Sequence, residues 1–256
     1  MIVLKMFITK IWLLSASMML LFNITSSQTG KIEYIINSDL AFDNNTNIIS
    51  LYFNSIESYA YNSTISEKST IEDSGKNNLI VKSGDKDGFP TYKNISRVVS
   101  QQKHNIVSAK YPCIIEDTLP KINWILKNEF KTISGFKSQS ATCLMGGRTY
   151  DVWFTTQIPV SHGPYRLYGL PGLILEAKST DGKINVKFKS LELGNEYSEK
   201  ILPLSKKFKY ELLNYSDYLQ KKKKIEKKLA IDFKAAGVNW TPLGTNIDWQ
   251  VEKNYF

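Results

Sequence analysis

The chain has 256 residues, of which 42% are apolar and 22% charged, and its 33 lysines and arginines against 24 acids give a formal charge of +9. That length and apolar content are enough to bury a sizeable core, which excludes a disordered or fibrous chain. Arginine occurs only at Arg97, Arg148 and Arg166; the charge is therefore mostly lysine on a solvated surface, without the guanidinium forks that read bases and phosphates, and nucleic acid is excluded as a partner.

Residues 1–27 read as a secretory signal. Lys5 and Lys10 form a basic start, residues 11–22 an apolar run, and Thr25-Ser26-Ser27 the small residues for cleavage before Gln28. The apolar run is too short for a comfortable membrane span, and no later segment is long and apolar enough to be one. The expectation is an exported chain, periplasmic, outer-membrane-associated or secreted, with residues 28–256 as a single domain and no transmembrane segment once the signal is removed.

Along that domain, 31–36 and 48–53 read as the first two strands, and the polar stretch 58–78 as a long hairpin loop. Residues 79–81 and 91–99 flank a second loop, 83–90. His104 reads as loop, while 105–110 and 113–116 read as extended. In 122–130, Ile122, Trp124, Leu126 and Phe130 fall on one face of a strand. Ser134-Gly135 and Gly146-Gly147 then turn the chain into 136–145 and 148–156, a three-stranded meander. Pro171-Gly172 suits the centre of a type II turn, with Gly172 at positive φ. It feeds a buried strand over 173–177, and Asp181-Gly182 marks a hairpin into 184–190, where Ile184, Val186 and Phe188 share a face. Leu219, Ile225, Leu229 and Phe233 predict a lysine-rich amphipathic helix over 216–233, with Ser216 as its N-cap and Gly237 as its stop. Residues 238–256, with two tryptophans and a terminal Tyr-Phe, read as a last strand. The fold class is mainly β: a curved antiparallel sheet, half-barrel or sandwich, with a C-terminal amphipathic helix.

Gly163-Pro164-Tyr165-Arg166-Leu167-Tyr168-Gly169-Leu170-Pro171-Gly172-Leu173-Ile174 is the most distinctive segment. Upstream stand Ile122-Asn123-Trp124, Ser134-Gly135-Phe136, Gly147-Arg148-Thr149-Tyr150-Asp151-Val152-Trp153-Phe154 and Ile158-Pro159-Val160. In order and spacing the chain resembles the GLPGLI family from about residue 31 to 193, most strongly from Trp124 to Leu175. The resemblance implies an exported protein of Gram-negative bacteria with no characterised biochemical role. Where that family often carries a cysteine, two residues after the aromatic that follows Ser-Gly, this chain has Ser138.

Cys113 and Cys143 are the two cysteines; an exported chain allows a disulfide between them, and two buried thiols are the alternative. No cysteine–histidine cluster suggests a metal, and no phosphate loop or other signature suggests a cofactor. The candidate binding residues are Arg148, Tyr150, Asp151, His162, Arg166, Tyr168, Leu170 and Leu173. The arginines suit a carboxylate clamp or a brace between strand ends, and His162 an exposed loop or a Ser-His-Asp device completed by Asp151 or Asp181. The functional expectation is a non-enzymatic envelope protein that binds an outer-membrane or other envelope partner, or an apolar ligand, on the face or edge of its sheet. The alternative is a secreted hydrolase, peptidase-like, with its site near Arg148, Asp151, His162 and Arg166.

Overall fold

The structure is a computed structural model, which describes residues 28–38, 47–62, 70–73, 79–82, 88–106 and 111–237. The signal segment, the expected 105–110 extension beyond Ile106, and the expected last strand over 238–256 lie outside the described residues. In chain order the strands are β1 (Gly30–Ser38), β2 (Asn47–Phe53), β3 (Glu57–Asn62), β4 (Thr70–Asp73), β5 (Leu79–Lys82), β6 (Thr91–Asn94), β7 (Val99–Asn105), β8 (Pro112–Thr118) and β9 (Ile125–Ile133). They continue with β10 (Phe136–Met145), β11 (Arg148–Thr155), β12 (Leu173–Ser179), β13 (Ile184–Leu193) and β14 (Glu211–Leu213); helix α1 (Leu204–Lys207) precedes β14 and α2 (Tyr215–Ala235) follows it.

Twelve strands form one open sheet in the order β14-β8-β7-β6-β3-β2-β1-β13-β12-β11-β10-β9. Every pairing is antiparallel except β14 on β8. The second and twelfth positions are joined by only the six residues between Thr118 and Ile125. Laid flat at about 4.8 Å per strand, β8 and β9 would stand roughly 48 Å apart, and a chain of that length reaches at most about 25 Å. The sheet must therefore curl over itself, and contacts across the fold show that it does: Tyr168 donates to Pro120 O at 2.7 Å and Arg166 to Thr118 O at 3.2 Å.

Period-two patterning supplies the concave core. Ile32, Tyr34 and Ile36 on β1, Ile49, Leu51 and Phe53 on β2, Ala141 and Cys143 on β10, and Tyr150, Val152 and Phe154 on β11 belong to one cluster. The expected meander is present, with Ser134-Gly135 and Gly146-Gly147 all at positive φ, as tight antiparallel turns require. The other end of the sheet has its own packing. Cys113 and Ile115 on β8 meet Tyr218 of α2, whereas Ile114, on the opposite face, meets Tyr59, Tyr92 and Leu204. The helix is capped by Asn214, whose side chain accepts from Asp217 N at 2.9 Å, two residues before the expected cap.

Four local expectations need correction. Part of the polar stretch 58–78 is strand: Ser58 and Tyr59 on β3 are buried, and Thr70–Asp73 pairs with Leu79–Lys82 in a small second sheet. Tyrosines with a surface to pack on outweigh the polar composition there. His104 lies on β7, half-buried against the Tyr218 ring at 5.9 Å. The strand expected from Ile122 begins at Ile125, and at Gln139 and Ala141 its ladder with β10 is bulged. Lastly, Gly172 is not at positive φ; Gly169 is, at +93°. Gly172 is required for a different reason, because a Cβ there would overlap the carbonyl of Thr155 and stand 3.0 Å from Thr156 Cα.

Gly172→Ala is accordingly expected to lower the unfolding free energy by about 2 kcal/mol, the cost of overpacking against backbone that cannot yield. Gly169→Ala should lose about 1 kcal/mol through its dihedral alone. Urea unfolding of both variants checks the order; a Gly172→Ala protein as stable as the parent would refute the close approach.

Candidate functional site

The eight candidate residues do not converge. Arg148 opens β11, Asp151 lies midway along it, and the turn that carries His162 follows its far end at Thr155, more than about 20 Å along the strand from Arg148. Arg148 pairs with Asp181 at 3.0 Å across the β12–β13 hairpin; it is a brace between strand ends, with Asp181 rather than Asp151 as its partner. Asp151 points to the other face and takes Lys127 at 2.7 Å. Tyr150, Leu170 and Leu173 are buried in the main core.

His162 is fully buried, with Nε2 2.9 Å from Asn54 O and its ring 6.4 Å from Phe53. Burial pushes its pKa down to about 3, and the nearby Lys93 pushes the same way. A neutral imidazole walled into the core is not an exposed loop histidine. Among the described residues no carboxylate meets it at either ring nitrogen, so the triad with Asp151 or Asp181 is not assembled.

The segment 158–172 is instead held by buried cations. Lys93, on β6, is 2% exposed and donates to Gly163 O at 2.9 Å and Leu167 O at 3.2 Å. Arg166 is 3% exposed and reaches Asp117 at 3.5 Å. Gly163 packs so tightly on Ile174 that a Cβ would stand 2.8 Å from its Cδ1. Trp124 Nε1 donates to Tyr168 O at 2.9 Å, tying the β8–β9 connection to the same segment. Sequence reasoning missed Lys93; a lysine flanked by Tyr92 and Asn94 in a short strand carries no signal that its ammonium ends inside the fold. Desolvation pushes that ammonium down to about 7, with Arg166 adding to the effect.

Loops from β2–β3, β6–β7, β8–β9 and β11–β12 meet at this end of the sheet. Val98 and Tyr165 there have φ of 55° and 51°, and a β-branched residue in that region is strained. Two depressions flank the Arg97-Val98 turn. One, of about 270 Å³, is lined by Val98, Leu119, Ile122 and Tyr168. The other, of about 440 Å³, is lined by Asn54, Glu57, Asn94 and Arg97; Tyr92 and Asn94 both donate to Glu57 inside it. Among the described residues no group of histidine, cysteine, aspartate and glutamate is placed to hold a metal.

A different surface stands out at the end of the sheet. β9 is the terminal strand and nine residues long. Ile125 is 66% exposed, Leu126 52% and Phe130 53%, and Leu144 on the neighbouring strand is 69% exposed. Lysines on an edge strand normally guard it. Here they are drawn back over the outer face: Lys127 to Asp151, and Lys131 to Glu176 and over the Trp153 ring at 4.5 Å.

Cys113 and Cys143 are both free thiols. They belong to separate core clusters, and this settles the open alternative against a disulfide. Burial pushes Cys113 up to about 11 and Cys143 up to about 12.

Residues 147–176 match the profile of a family described as a protein of unknown function (Porph_ging). No curated protein matches the chain. Two solved structures of PNGF-II, in space groups C2 and P21, are similar with a TM-score of 0.53 each, at 20% and 18% identity. Both matches cover 77% of this chain and 33% and 34% of the PNGF-II chain. The chain thus spans about a third of the length of those proteins, and the likeness is one of fold.

Two outcomes follow from these geometries. Between the folded pKa of Lys93, about 7, and its unfolded value near 10.4, the unfolded chain binds the extra proton. Lys93 therefore contributes stability that rises with pH across that window, whereas the two buried thiols, with folded pKa of about 11 and about 12, contribute stability that is lost as pH rises above their unfolded value near 8.5. The urea midpoint should climb from pH 7 to about 8 and turn down above about 9, and Lys93→Met should flatten the climb. The two thiols should stay unreactive toward a disulfide reagent at pH 8 until urea unfolds the chain, since little thiolate forms in the fold; rapid labelling of the native protein would contradict their burial.

Proposed function

We propose that this chain is an exported, non-enzymatic binding module of the GLPGLI type, which receives an extended segment of an envelope protein on its β9 edge. The observation that carries this reading is the nine-residue edge strand, unpaired on its outer side among the described residues, with Ile125, Leu126 and Phe130 exposed beside Leu144. An added strand gains main-chain hydrogen bonds from such an edge, and alternate side chains give it specificity. Export rests on the basic and apolar pattern of residues 1–27, and the GLPGLI assignment on the motif order from Trp124 to Leu175. The hydrolase reading finds no support in the geometry, because its residues are spread over both ends of β11 and both faces of the sheet.

The test is selection of random displayed peptides on the immobilised chain. The selected sequences should alternate apolar and polar residues, and Leu126→Lys with Phe130→Glu should weaken their binding at least tenfold, a loss of about 1.4 kcal/mol. The melting temperature should hardly change, since both side chains are already exposed. Peptides that bind parent and variant equally would place recognition elsewhere, with the two depressions beside Val98 the next surfaces to probe.

A further inference from the structure

Helix α2 closes the opposite edge of the sheet, and its two faces differ. Its inner face packs through Tyr215, Tyr218, Leu219 and Ile225 against Cys113, Ile115 and Leu213. The two lysines nearest the body are paired, Lys221 with Glu211 and Lys222 with Glu226. The remaining five, Lys223, Lys224, Lys227, Lys228 and Lys234, are exposed and make no ion pair among the described residues.

At 3.6 residues per turn these five fall on one side of the helix. Lys223, Lys227 and Lys234, at spacings of four and seven, make one row. Lys224 and Lys228 make the row beside it, which continues to Ile231, 60% exposed. Ala230 and Ala235 fill the gaps with small side chains. Glu226 lies on the inner side and Asp217 at the capped N-terminus; Asp232, four residues past Lys228, stands at the rim. The result is a straight cationic strip about 16 Å long, with one aliphatic side chain in its middle.

We propose that this strip docks the protein on an anionic lipid bilayer. Three features select that occupant. Lysine ammoniums are point charges that suit a diffuse layer of phosphates, and the strip has no arginine fork for bidentate pairing with a folded partner's carboxylates. It is straight and free of acidic side chains except at its rim, which matches a planar surface of one sign. Ile231 can enter the boundary between headgroups and acyl chains while the lysines stay at headgroup level. The inner face of the helix is already used against the sheet, so the contact is peripheral. It is independent of β9, which ends the other side of the sheet.

Each lysine near an anionic bilayer raises partitioning roughly fivefold. The experiment is flotation of the full chain with vesicles of phosphatidylcholine alone and with about one-third phosphatidylglycerol. The apolar stretch at 11–22 can bind both, so the readout is the excess on the anionic vesicles. That excess should be at least tenfold at 0.1 M salt and should vanish at 1 M, where the screening length falls from about 10 Å to about 3 Å. Lys223→Glu, Lys227→Glu and Lys234→Glu together should abolish it, and the Lys→Gln triple should weaken it at least tenfold with an unchanged circular-dichroism spectrum. Ile231→Ser should weaken it by a smaller factor with the charge intact. No excess for the parent chain, or an excess that survives both triples, overturns the proposal. So does binding of soluble polyphosphate that the triples remove in the absence of any vesicle excess, since the strip would then serve a soluble polyanion.

Discussion

The short path from β8 to β9 is the constraint on which the rest depends. Six residues must connect strands ten places apart in one sheet, and only a sheet curled over itself permits it. The curl brings β6 and β8 against the segment that links β11 to β12. Backbone carbonyls of that segment are thereby removed from water. They need donors from the opposite wall, and Lys93 supplies two hydrogen bonds while Arg166 returns one to Thr118. A buried ammonium is costly alone; here it is offset by carbonyls that would otherwise be unpaired.

The glycine- and proline-rich motif makes sense in that setting. Gly163 and Gly172 let backbone approach Ile174 and Thr155 more closely than any side chain would allow, and Gly169, like Tyr165 before it, takes a left-handed conformation. Leu170, Leu173 and Ile174 fill the core behind it. The motif is the joint that fixes the curl, and this explains why its histidine and arginine are buried and tied to backbone rather than aimed at solvent.

An open sheet has two edges, and this chain treats them differently. At one end β14 is only three residues long and α2 lies over it with β8, a short and covered edge of the kind that avoids unwanted pairing. At the other, β9 is long, bulged and apolar, with its lysines anchored away from the edge. The apolar β9 edge and the lysine strip therefore lie at opposite ends of one curled sheet, so the two proposed contacts do not compete for the same surface.

Much of the fold was legible because it is written in short-range patterns. Alternation along 31–36, 136–145 and 148–156, Gly-Gly and Asp-Gly turns, and 3.6-residue spacing in the helix are local consequences of backbone geometry, and each produced the expected element. The tyrosine-bearing strand Glu57–Asn62 was hidden by its polar surroundings, since packing against Tyr92 and Leu204 decides it. The site was far less legible. Whether Arg148 meets Asp151 or Asp181, whether His162 faces water, whether Cys113 can reach Cys143 and whether Lys93 is buried all depend on which strands the curl brings together. Composition and periodicity determined that this is a mainly β chain with a helix near its end. Only the tertiary structure decided which charges were desolvated and which strand ended the sheet, because burial is a property of the closed surface and not of the residues that make it.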